Sequence, residues 1–373
     1  MESRACESCK ATTDMNNTDL DTKQILKRLT LIGLGRLAVY CRAQIGAILC
    51  LHSISDDVKS EGQFHPRRHL VTSTSFIESL IADLRRLNFD LVSVEDAIAR
   101  LKYDSSRPFV AFTLDDGYAD NFTAGYPIFS RYQVPFTVFV TTGFVDRTVP
   151  MWWVLLDTLI RQRDYIVLPH GSMPTHDLRE KNSAYATING LIKSLDTDQL
   201  SAFFEELLDA NPGTEARADS SAAPLTWAQL RTMAATGLVT VGCHTVTHLP
   251  LSRLDQETCE TEIFVARDRI KVELGEAPRF FAYPFGGPSD VGSAAPEIVA
   301  KAKFEAAFGL NRALLARLDA ETASYFVPRI VLDSEDLLLT RAYISGLPWA
   351  LRNSLNRVFG RLATRKRVRG WEH

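Results

Sequence analysis

Three short stretches of the sequence carry side chains that can do hydrolytic chemistry, and each follows an apolar run. In the first, Asp115 and Asp116 come directly after Phe109–Leu114 and are followed by Gly117. Two adjacent carboxylates at the end of a buried strand repel each other and lose hydration, so they require hydrogen bonds, a cation or a metal. Gly117 allows the backbone to turn here, which brings both carboxylates within reach of one cleft. Taken alone, Asp-Gly favours the simpler interpretation of a turn or a helix cap.

The second stretch contains two histidines, and the third is a turn. His244 and His248 follow the apolar run 238–243, and Tyr283–Gly286 follows a run that begins at Phe280. An i, i+4 pair presents two imidazoles on one face of a helix, and one carboxylate completes a three-ligand site with a position open for water, as expected of a catalytic zinc. For the histidines alone, a capping or core pair is an equal alternative. Beside the Asp pair at a matching strand end, the metal site is the better interpretation.

The elements that must position these stretches alternate between strand and helix. The hydrophobic patterns predict strands over 47–51, 109–114, 136–140, 238–243, 280–285, 306–308 and 327–331, and helices over 74–87, 94–101, 118–132, 226–235, 258–274 and 296–303. This order is typical of a parallel α/β domain. Because the carboxyl ends of parallel strands lie on one face, we expect the three stretches to converge there.

Size and composition set the broad class of the protein. The chain has 373 residues, of which 46% are hydrophobic and 23% are charged, so we expect a soluble globular protein with a sizeable core. The formal net charge of −3 gives no general reason to expect a nucleic-acid partner. Six scattered cysteines fit reduced thiols better than a disulfide framework. The first 21 residues contain acidic residues and no apolar core segment, so we expect neither a secretory signal nor a spanning helix, and a cytoplasmic location.

We divide the chain into three parts. Residues 1–45 form an N-terminal tail and helix, residues 46–345 the α/β domain, and residues 346–373 a C-terminal tail. The strand–helix order lapses over about 147–224, which we interpret as a helical insertion that ends in a linker. Apolar residues at helical spacing over 22–40, flanked by cations, indicate a docking helix or a membrane-surface helix.

The C-terminal tail is basic and amphipathic. Its apolar residues are interleaved with the cations Arg352, Arg357, Arg361, Arg365, Lys366, Arg367 and Arg369. This pattern would suit peripheral contact with an anionic membrane at its inner face. A solvated helix packed on its own domain explains the pattern equally well.

Three ordered motifs resemble a known family. The blocks Phe-Thr-Leu-Asp-Asp-Gly-Tyr-Ala-Asp-Asn, His-Thr-Val-Thr-His and Phe-Ala-Tyr-Pro-Phe-Gly-Gly are similar to successive motifs of the polysaccharide deacetylases, carbohydrate esterase family 4, with a NodB homology domain. The resemblance covers roughly 48–333. The Trp152-Trp153 segment and the Leu225-Thr226-Trp227 lead-in resemble the poly-N-acetylglucosamine deacetylase branch. This resemblance implies a distorted parallel (β/α) barrel with a helical insertion.

The resemblance also implies a role for each matched residue. Asp115 matches the family's general base. The family's metal ligands are matched by Asp116, His244 and His248. The implied reaction is a metal-assisted attack of water on the acetamide carbonyl, in which the base takes the proton of the water. A backbone N–H in the turn Tyr283–Phe285 would hold the oxyanion. The metal would be a divalent ion, with Zn²⁺ favoured by the histidines.

The sequence departs from the family pattern at three positions. Phe285 replaces the usual tyrosine, which leaves a backbone donor in place. No histidine lies late in the domain to act as general acid, but His52 matches the position of that acid in the branch with a permuted strand order. Ala282 stands where the arginine that orients the base is usual, and we suggest that Arg329 supplies this charge instead.

Other candidate residues have simpler interpretations. Cys243 adjoins a metal-ligand candidate, but strand alternation points it away, so we expect a buried structural thiol. Tyr118, Trp152 and Trp153 would suit a sugar groove and equally a hydrophobic core. The remaining histidines fall in polar stretches and are expected at the surface, namely His65, His69, His170 and His176.

These observations predict a metal-dependent hydrolase of carbon–nitrogen bonds. Its substrate would be the N-acetyl group of N-acetylglucosamine units in an oligosaccharide, a polysaccharide or a lipid-linked glycan, with release of acetate. An O-acetyl glycan esterase is the nearest alternative, because ester and amide carbonyls pose the same problem to the same site. A catalytically inactive glycan-binding protein is the third, favoured by the missing late histidine and by Ala282.

Overall fold

The computed structural model describes residues 21–33, 44–56, 62–102, 107–168, 171–195, 197–212, 223–310, 315–316, 325–348 and 351. The chain divides into two units. The barrel unit is Ile45–Glu335, and the terminal unit consists of Met1–Gln44 and Asp336–His373. The barrel unit contains all the residues singled out for chemistry.

The barrel unit is built on a mostly parallel sheet. The strands are β1 (Gln44–Leu51), β2 (Ser53–Ile54), β3 (Val71–Thr72), β4 (Asp90–Val92), β5 (Phe109–Leu114), β6 (Phe136–Val140), β7 (Tyr165–Leu168), β8 (Gly171–Pro174), β9 (Val239–Cys243), β10 (Phe280–Ala282), β11 (Ala306–Gly309), β12 (Leu315–Ala316), β13 (Val327–Pro328) and β14 (Ile330–Val331). In the main sheet the order is β12-β1-β5-β6-β9-β10-β11-β13, and β4 adds to the first half of β5.

The sheet curls into a nearly closed barrel. Arg329 separates β13 from β14, and these two short strands pair with opposite edges of the sheet. β13 pairs with β11, and β14 pairs in parallel with β1. The segment around Arg329 therefore joins the last strand to the first. This architecture confirms the predicted α/β fold and the distorted parallel (β/α) barrel.

Strand β5 is buried on both faces, which explains its uninterrupted apolar sequence. Alternate residues Phe109 and Ala111 belong to a hydrophobic cluster that also contains residues of β1, β6, β10 and β11. By the two-residue period of a strand, Thr113 and Asp115 continue the same face. The strand pattern thus directs Asp115 towards the carboxyl end of the barrel interior.

Helices follow the strands in the expected alternation. They are α1 (residues 21–31), α2 (Thr74–Arg86), α3 (Val94–Lys102), α4 (Tyr126–Arg131), α5 (Thr142–Val145), α6 (Trp152–Gln162), α7 (Leu178–Ile192), α8 (Thr197–Ala210), α9 (Trp227–Ala234), α10 (Gln256–Leu274), α11 (Pro288–Val291), α12 (Ala295–Lys301) and α13 (Leu337–Ile344). Sequence-encoded caps fix several ends. Thr226 forms a capping box with Gln229, and Gly275 ends α10 in the left-handed region.

The helix predicted over 118–132 starts later than expected. A π-helical turn, Asn121–Gly125, precedes α4. The strand predicted over 280–285 ends at Ala282, because the next residues leave the sheet as a tight turn. Both differences lie at strand ends, where backbone strain replaces regular pairing.

The insertion over 147–224 is not purely helical. α6, α7 and α8 are present, but β7 and β8 form an antiparallel hairpin between them. Helix α7 ends at Ile192, and α8 begins at Thr197. Ser194 and Leu195 donate to carbonyls three residues back, which tightens the last turn and ends α7.

The aromatic residues suggested for a sugar groove lie in a core instead. Tyr118, Trp152 and Trp153 are at most 5% exposed and belong to one hydrophobic cluster with the insertion. Trp153 donates its indole N–H to the Tyr118 hydroxyl over 2.7 Å. These aromatic side chains therefore pack the insertion against the rest of the barrel unit.

The terminal unit has a small core of its own. Leu26 of α1 is buried with Leu339 and Ala342 of α13. Lys27 pairs with Asp336 at 2.5 Å. Among the described residues, no helix combines the length and the apolar character needed to cross a bilayer. The predicted basic tail lies largely outside the described residues.

Glycine at position 242 is a packing requirement of the barrel. A Cβ there would lie 2.4 Å from ring atoms of Phe139 in the neighbouring strand. We expect Gly242→Ala to lower the free energy of unfolding by about 1–3 kcal/mol through overpacking, measured by urea denaturation. Gly190→Ala is the matched control, because its Cβ would meet nothing within 4 Å inside α7, and it should stabilise by up to about 1 kcal/mol. Unchanged stability of Gly242→Ala would contradict the close approach of β6 and β9.

Candidate active site

The two adjacent aspartates leave strand β5 in different directions. Asp115 keeps the strand ladder, since its N–H donates to the Leu51 carbonyl over 3.0 Å. Asp116 has a φ of +71° and is followed by Gly117 at +77°. Both carboxylates are buried, at 1% and 3% exposure. The turn thus sends two neighbouring charges to two different sets of partners.

Asp115 is paired with a fully buried arginine. Arg329 has no exposed surface and donates from both terminal nitrogens, one to each carboxylate oxygen of Asp115, at 2.7 Å. It also donates to the Thr113 hydroxyl over 3.0 Å, and its guanidinium lies over the Phe139 ring. The sequence suggested Arg329 as the cation that replaces the arginine missing at Ala282, and it also grouped Arg329 with the oxyanion and substrate contacts. The enclosed guanidinium contacts the carboxylate of Asp115, as the first of these suggestions requires.

Asp116 faces both histidines. Its Oδ1 lies 3.5 Å from Nε2 of His244 and 3.2 Å from Nε2 of His248. One ligand atom from each of these three residues falls within 4.8 Å of the other two. All three residues are buried. The structure therefore brings together the three side chains predicted as metal ligands.

The details of this trio fit a metal cation. Asp116 Oδ1 is buried without a hydrogen-bond partner in the described chain, although two imidazole nitrogens face it. Nδ1 of His244 lies 2.7 Å from the Ala282 carbonyl, so this nitrogen carries the proton and Nε2 keeps its lone pair. A carboxylate and two imidazoles form a donor set suited to Zn²⁺ and similar divalent ions.

The spacing of the two histidines suggested a helix, but the structure has none there. They occupy a loop after β9, in which Thr245 and His248 have φ values of +66° and +62°. Glu262 of α10 holds this loop by accepting hydrogen bonds from the backbone N–H groups of Val246 and Thr247. The loop geometry, rather than helical periodicity, makes the two imidazoles converge.

Backbone strain occurs in every loop that converges on the site. Non-glycine residues with positive φ occur in all three, at Asp116, Thr245, His248 and Phe285. A β-branched residue such as Thr245 rarely adopts this conformation. Such strain persists only where surrounding contacts impose it, and it accumulates at functional sites.

Electrostatics set the charge states of the site. Burial would raise the pKa of Asp115, but Arg329 and His244 outweigh it and hold this pKa below its usual range. Burial likewise opposes ionisation of Asp116, yet His248 and His244 keep its pKa far below the ordinary value. Burial lowers the pKa of His248 more than the carboxylates raise it, which favours the neutral imidazole. The site thus holds two carboxylates and a neutral imidazole ligand at neutral pH.

His52 reaches the site from the end of β1. Atoms of its ring, of the Asp115 carboxylate and of the Cys50 thiol lie within 4.8 Å of one another. His52 is half-buried, so it stands between the core and the solvent. Cys50 donates its thiol proton to Asp115 over 3.4 Å. The predicted acid and the predicted base are therefore neighbours.

A buried polar clamp fixes the position of His52. Asn121 donates its amide N–H to the His52 carbonyl over 2.7 Å and to Asp120 over 3.0 Å. Ser53 donates to the other oxygen of Asp120 over 2.5 Å. Burial raises the pKa of Asp120 to about 7, although the hydrogen bond from Ser53 opposes the rise. The Ala-Asp-Asn end of the first motif thus fastens β1 to the turn after β5.

The turn after β10 offers one backbone donor. The Tyr283 N–H donates to the Phe308 carbonyl, and the Tyr283 hydroxyl donates to the Tyr325 carbonyl, so both donors of Tyr283 are already used within the barrel unit. Pro284 has no N–H. In the part of the chain that the structure describes, the Phe285 N–H has no acceptor. The centroid of the Phe285 ring lies 5.0 Å from the centroid of the His248 ring, which places the turn at the site.

Sequence reasoning missed several supporting residues. Glu262 could have been found, because it is a charged residue on the buried stripe of α10, between Cys259 and Ala266. Asn121 and Cys50 gave no comparable signal, since their partners are 69 and 65 residues away. Cys243 is buried, as expected of a structural thiol.

The sequence matches one family model over much of its length. The model described as polysaccharide deacetylase covers residues 102–306, which is more than half of the chain. The matched segment contains Asp115, Asp116, His244, His248 and the turn after β10. No curated protein matches the sequence significantly.

The fold is similar to several solved structures. Streptococcus pyogenes deacetylase PplD in complex with acetate is 16% identical with a TM-score of 0.51, and the match covers 80% of this chain and 98% of that one. A de-N-acetylase from Aggregatibacter actinomycetemcomitans is 17% identical with a TM-score of 0.51, covering 80% and 99%. IcaB from Ammonifex degensii is 18% identical with a TM-score of 0.50, covering 80% and 97%. These likenesses establish the fold.

The buried carboxyl of Asp120 should make stability depend on pH. Its folded-state pKa of about 7 exceeds the unfolded value of about 4, so the folded state retains a proton that the unfolded chain releases. The contribution of Asp120 to the free energy of unfolding is fully present below about pH 4 and is lost as the pH rises towards 7. In Asp120→Asn, the loss of unfolding free energy between pH 5 and pH 7.5 should be smaller by on the order of 2 kcal/mol. Urea unfolding at the two pH values measures it. Parallel losses in both proteins would assign the dependence to other groups.

Proposed function

The chain belongs to the polysaccharide deacetylase family, and we propose that it hydrolyses the N-acetyl group of N-acetylglucosamine units in an oligosaccharide, a polysaccharide or a lipid-linked glycan. The products are acetate and a free amine on the sugar. One observation carries the proposal. A buried carboxylate, Asp115, is held ionised by Arg329 beside the converging ligands Asp116, His244 and His248.

Asp115 acts as the general base. Its lowered pKa keeps it ionised at neutral pH, so it is ready to accept a proton from the attacking water. Two hydrogen bonds from Arg329 fix the plane of the carboxylate and leave lone pairs on both oxygens. Arg329 thus performs the orienting role that Ala282 cannot.

Asp116, His244 and His248 would hold a divalent metal ion, with Zn²⁺ favoured by two imidazoles. Such an ion, when bound, polarises the acetyl carbonyl and makes a coordinated water more acidic. The chain prepares this site in two ways. The Ala282 carbonyl fixes the tautomer of His244, and burial keeps the His248 ring neutral.

The Phe285 N–H is the donor available for the oxygen of the tetrahedral intermediate. His52, beside Asp115, donates a proton to the departing nitrogen. An amine is a poor leaving group until it is protonated, whereas an activated ester leaves without this help. A positioned imidazole therefore favours amide hydrolysis over ester hydrolysis.

Removal of the base should abolish turnover. Asp115→Asn keeps the shape of the side chain but cannot accept the proton, so we expect kcat for acetate release from N-acetylated chitooligosaccharides to fall roughly 10²–10⁴-fold. Asp164→Asn, at an exposed position of the insertion, is the control and should match the native protein. A native protein that retains metal yet releases no acetate from N- or O-acetylated glycans would support the binding-protein alternative.

The acid role of His52 predicts a difference between substrates. His52→Ala should lower kcat on the N-acetylated oligosaccharide by roughly 10²-fold or more. The same variant should retain most of its activity on p-nitrophenyl acetate, whose leaving group needs no proton. Equal losses on both substrates would assign His52 to structure, and equal activities to the native protein would remove it from the mechanism.

Metal binding should be visible without any activity measurement. Zn²⁺ added to chelator-treated protein should raise the melting temperature, because binding to the folded state contributes about 2.7 kcal/mol at one hundred times Kd. His248→Gln should lose this shift, since it removes one of the three ligands. His176→Gln removes an exposed imidazole from the insertion and should keep the shift. A shift retained by His248→Gln would place the ion elsewhere.

A further inference from the structure

Helix α1 of the terminal unit presents large aliphatic side chains to solvent. Ile25 is 53% exposed, Leu31 67% and Ile32 73%. Ile32 lies in the turn after α1 and continues its path, since its N–H donates to the Arg28 carbonyl over 3.2 Å. Arg28, also exposed, lies three residues after Ile25 and three or four before the other two, so the four side chains share one stripe. Aliphatic residues exposed together in this way mark a contact surface rather than scattered surface hydrophobics.

The opposite face of α1 already has its partner. Leu26 is buried against α13, and Leu29 packs on the same cluster. The salt bridge between Lys27 and Asp336 holds this side of the helix in place. The aliphatic stripe is therefore not the core-facing side of α1, and within the described residues it remains uncovered.

The terminal unit is also the basic part of an acidic protein. The whole chain has a formal net charge of −3. The segment 22–43 nevertheless contains five basic residues and no acidic residue, and 346–373 contains seven basic residues and one acidic residue. Both segments belong to this unit. Charge is thus separated between the terminal unit and the rest of the sequence.

We propose that the aliphatic stripe of α1, formed by Ile25, Leu31 and Ile32 with Arg28, docks on an anionic lipid bilayer. The aliphatic side chains enter the boundary between headgroups and acyl chains, and the Arg28 guanidinium contacts the lipid phosphates. This interaction is peripheral, and it is independent of the proposed chemistry of the barrel unit.

Charge complementarity favours a bilayer over a second copy of the chain. Two copies that met through this stripe would bring the Arg28 side chains of both molecules together, which is repulsive. An anionic bilayer supplies both an apolar interior and a negative surface. The basic amphipathic sequence after Leu347 would add to the same attraction.

Flotation of the full chain with lipid vesicles tests the proposal. The protein should float with vesicles of phosphatidylcholine and phosphatidylglycerol, stay behind with phosphatidylcholine alone, and be released by high salt. The variant Ile25→Ser, Leu31→Ser, Ile32→Ser should lose about tenfold or more in partitioning, because three aliphatic side chains no longer enter the bilayer. Native protein that does not float with anionic vesicles would overturn the proposal.

The barrel unit offers a matched control. Val265 and Val272 of α10 are 52% and 77% exposed, so Val265→Ser, Val272→Ser removes similar apolar surface from another helix. This control should float like the native protein, and circular dichroism should show that both variants are folded. Equal flotation of the two variants would remove the stripe from the interaction. A change of molecular mass in the α1 variant, with flotation unchanged, would make the stripe a contact between copies.

Discussion

The buried pair of Arg329 and Asp115 is the interaction on which the rest of the site depends. A guanidinium without any exposed surface is tolerated only when its charge is matched, and Asp115 matches it with two hydrogen bonds of 2.7 Å. Arg329 occurs at the break between β13 and β14, where the barrel joins its last strand to its first. The same residue therefore lies at the closure of the sheet and holds Asp115 ionised. Loss of either partner would leave an uncompensated charge inside the barrel.

The positions of the candidate site followed from strand ends and could be predicted from sequence. Apolar runs of strand length ended at Asp115, at His244 and near Tyr283, and parallel α/β topology places such ends on one face. The fold class and most strands needed no further information. His52 was harder to predict, because its own segment contains a single polar ring after an apolar run, and only the comparison with a known motif order singled it out.

Contacts between distant segments could not be predicted in the same way. Local patterns carry no record of which residue meets Asp115 from more than 200 positions away, so Arg329 was suggested from its charge and not from its geometry. The histidine spacing predicted a helix because periodicity cannot distinguish a helix from a strained loop held by Glu262. The hairpin in the insertion was missed for a related reason, since its strands are mostly exposed and carry little apolar alternation.

The position of Arg329 also bears on whether the site turns over substrate or only binds it. Ala282 favoured a binding protein, because the arginine that orients the base is missing there. Arg329 supplies a cation to Asp115 from the break between β13 and β14, so Ala282 marks a relocated charge and not a lost one. A binding site would gain nothing from a buried carboxylate kept ionised, because a neutral side chain costs less to bury.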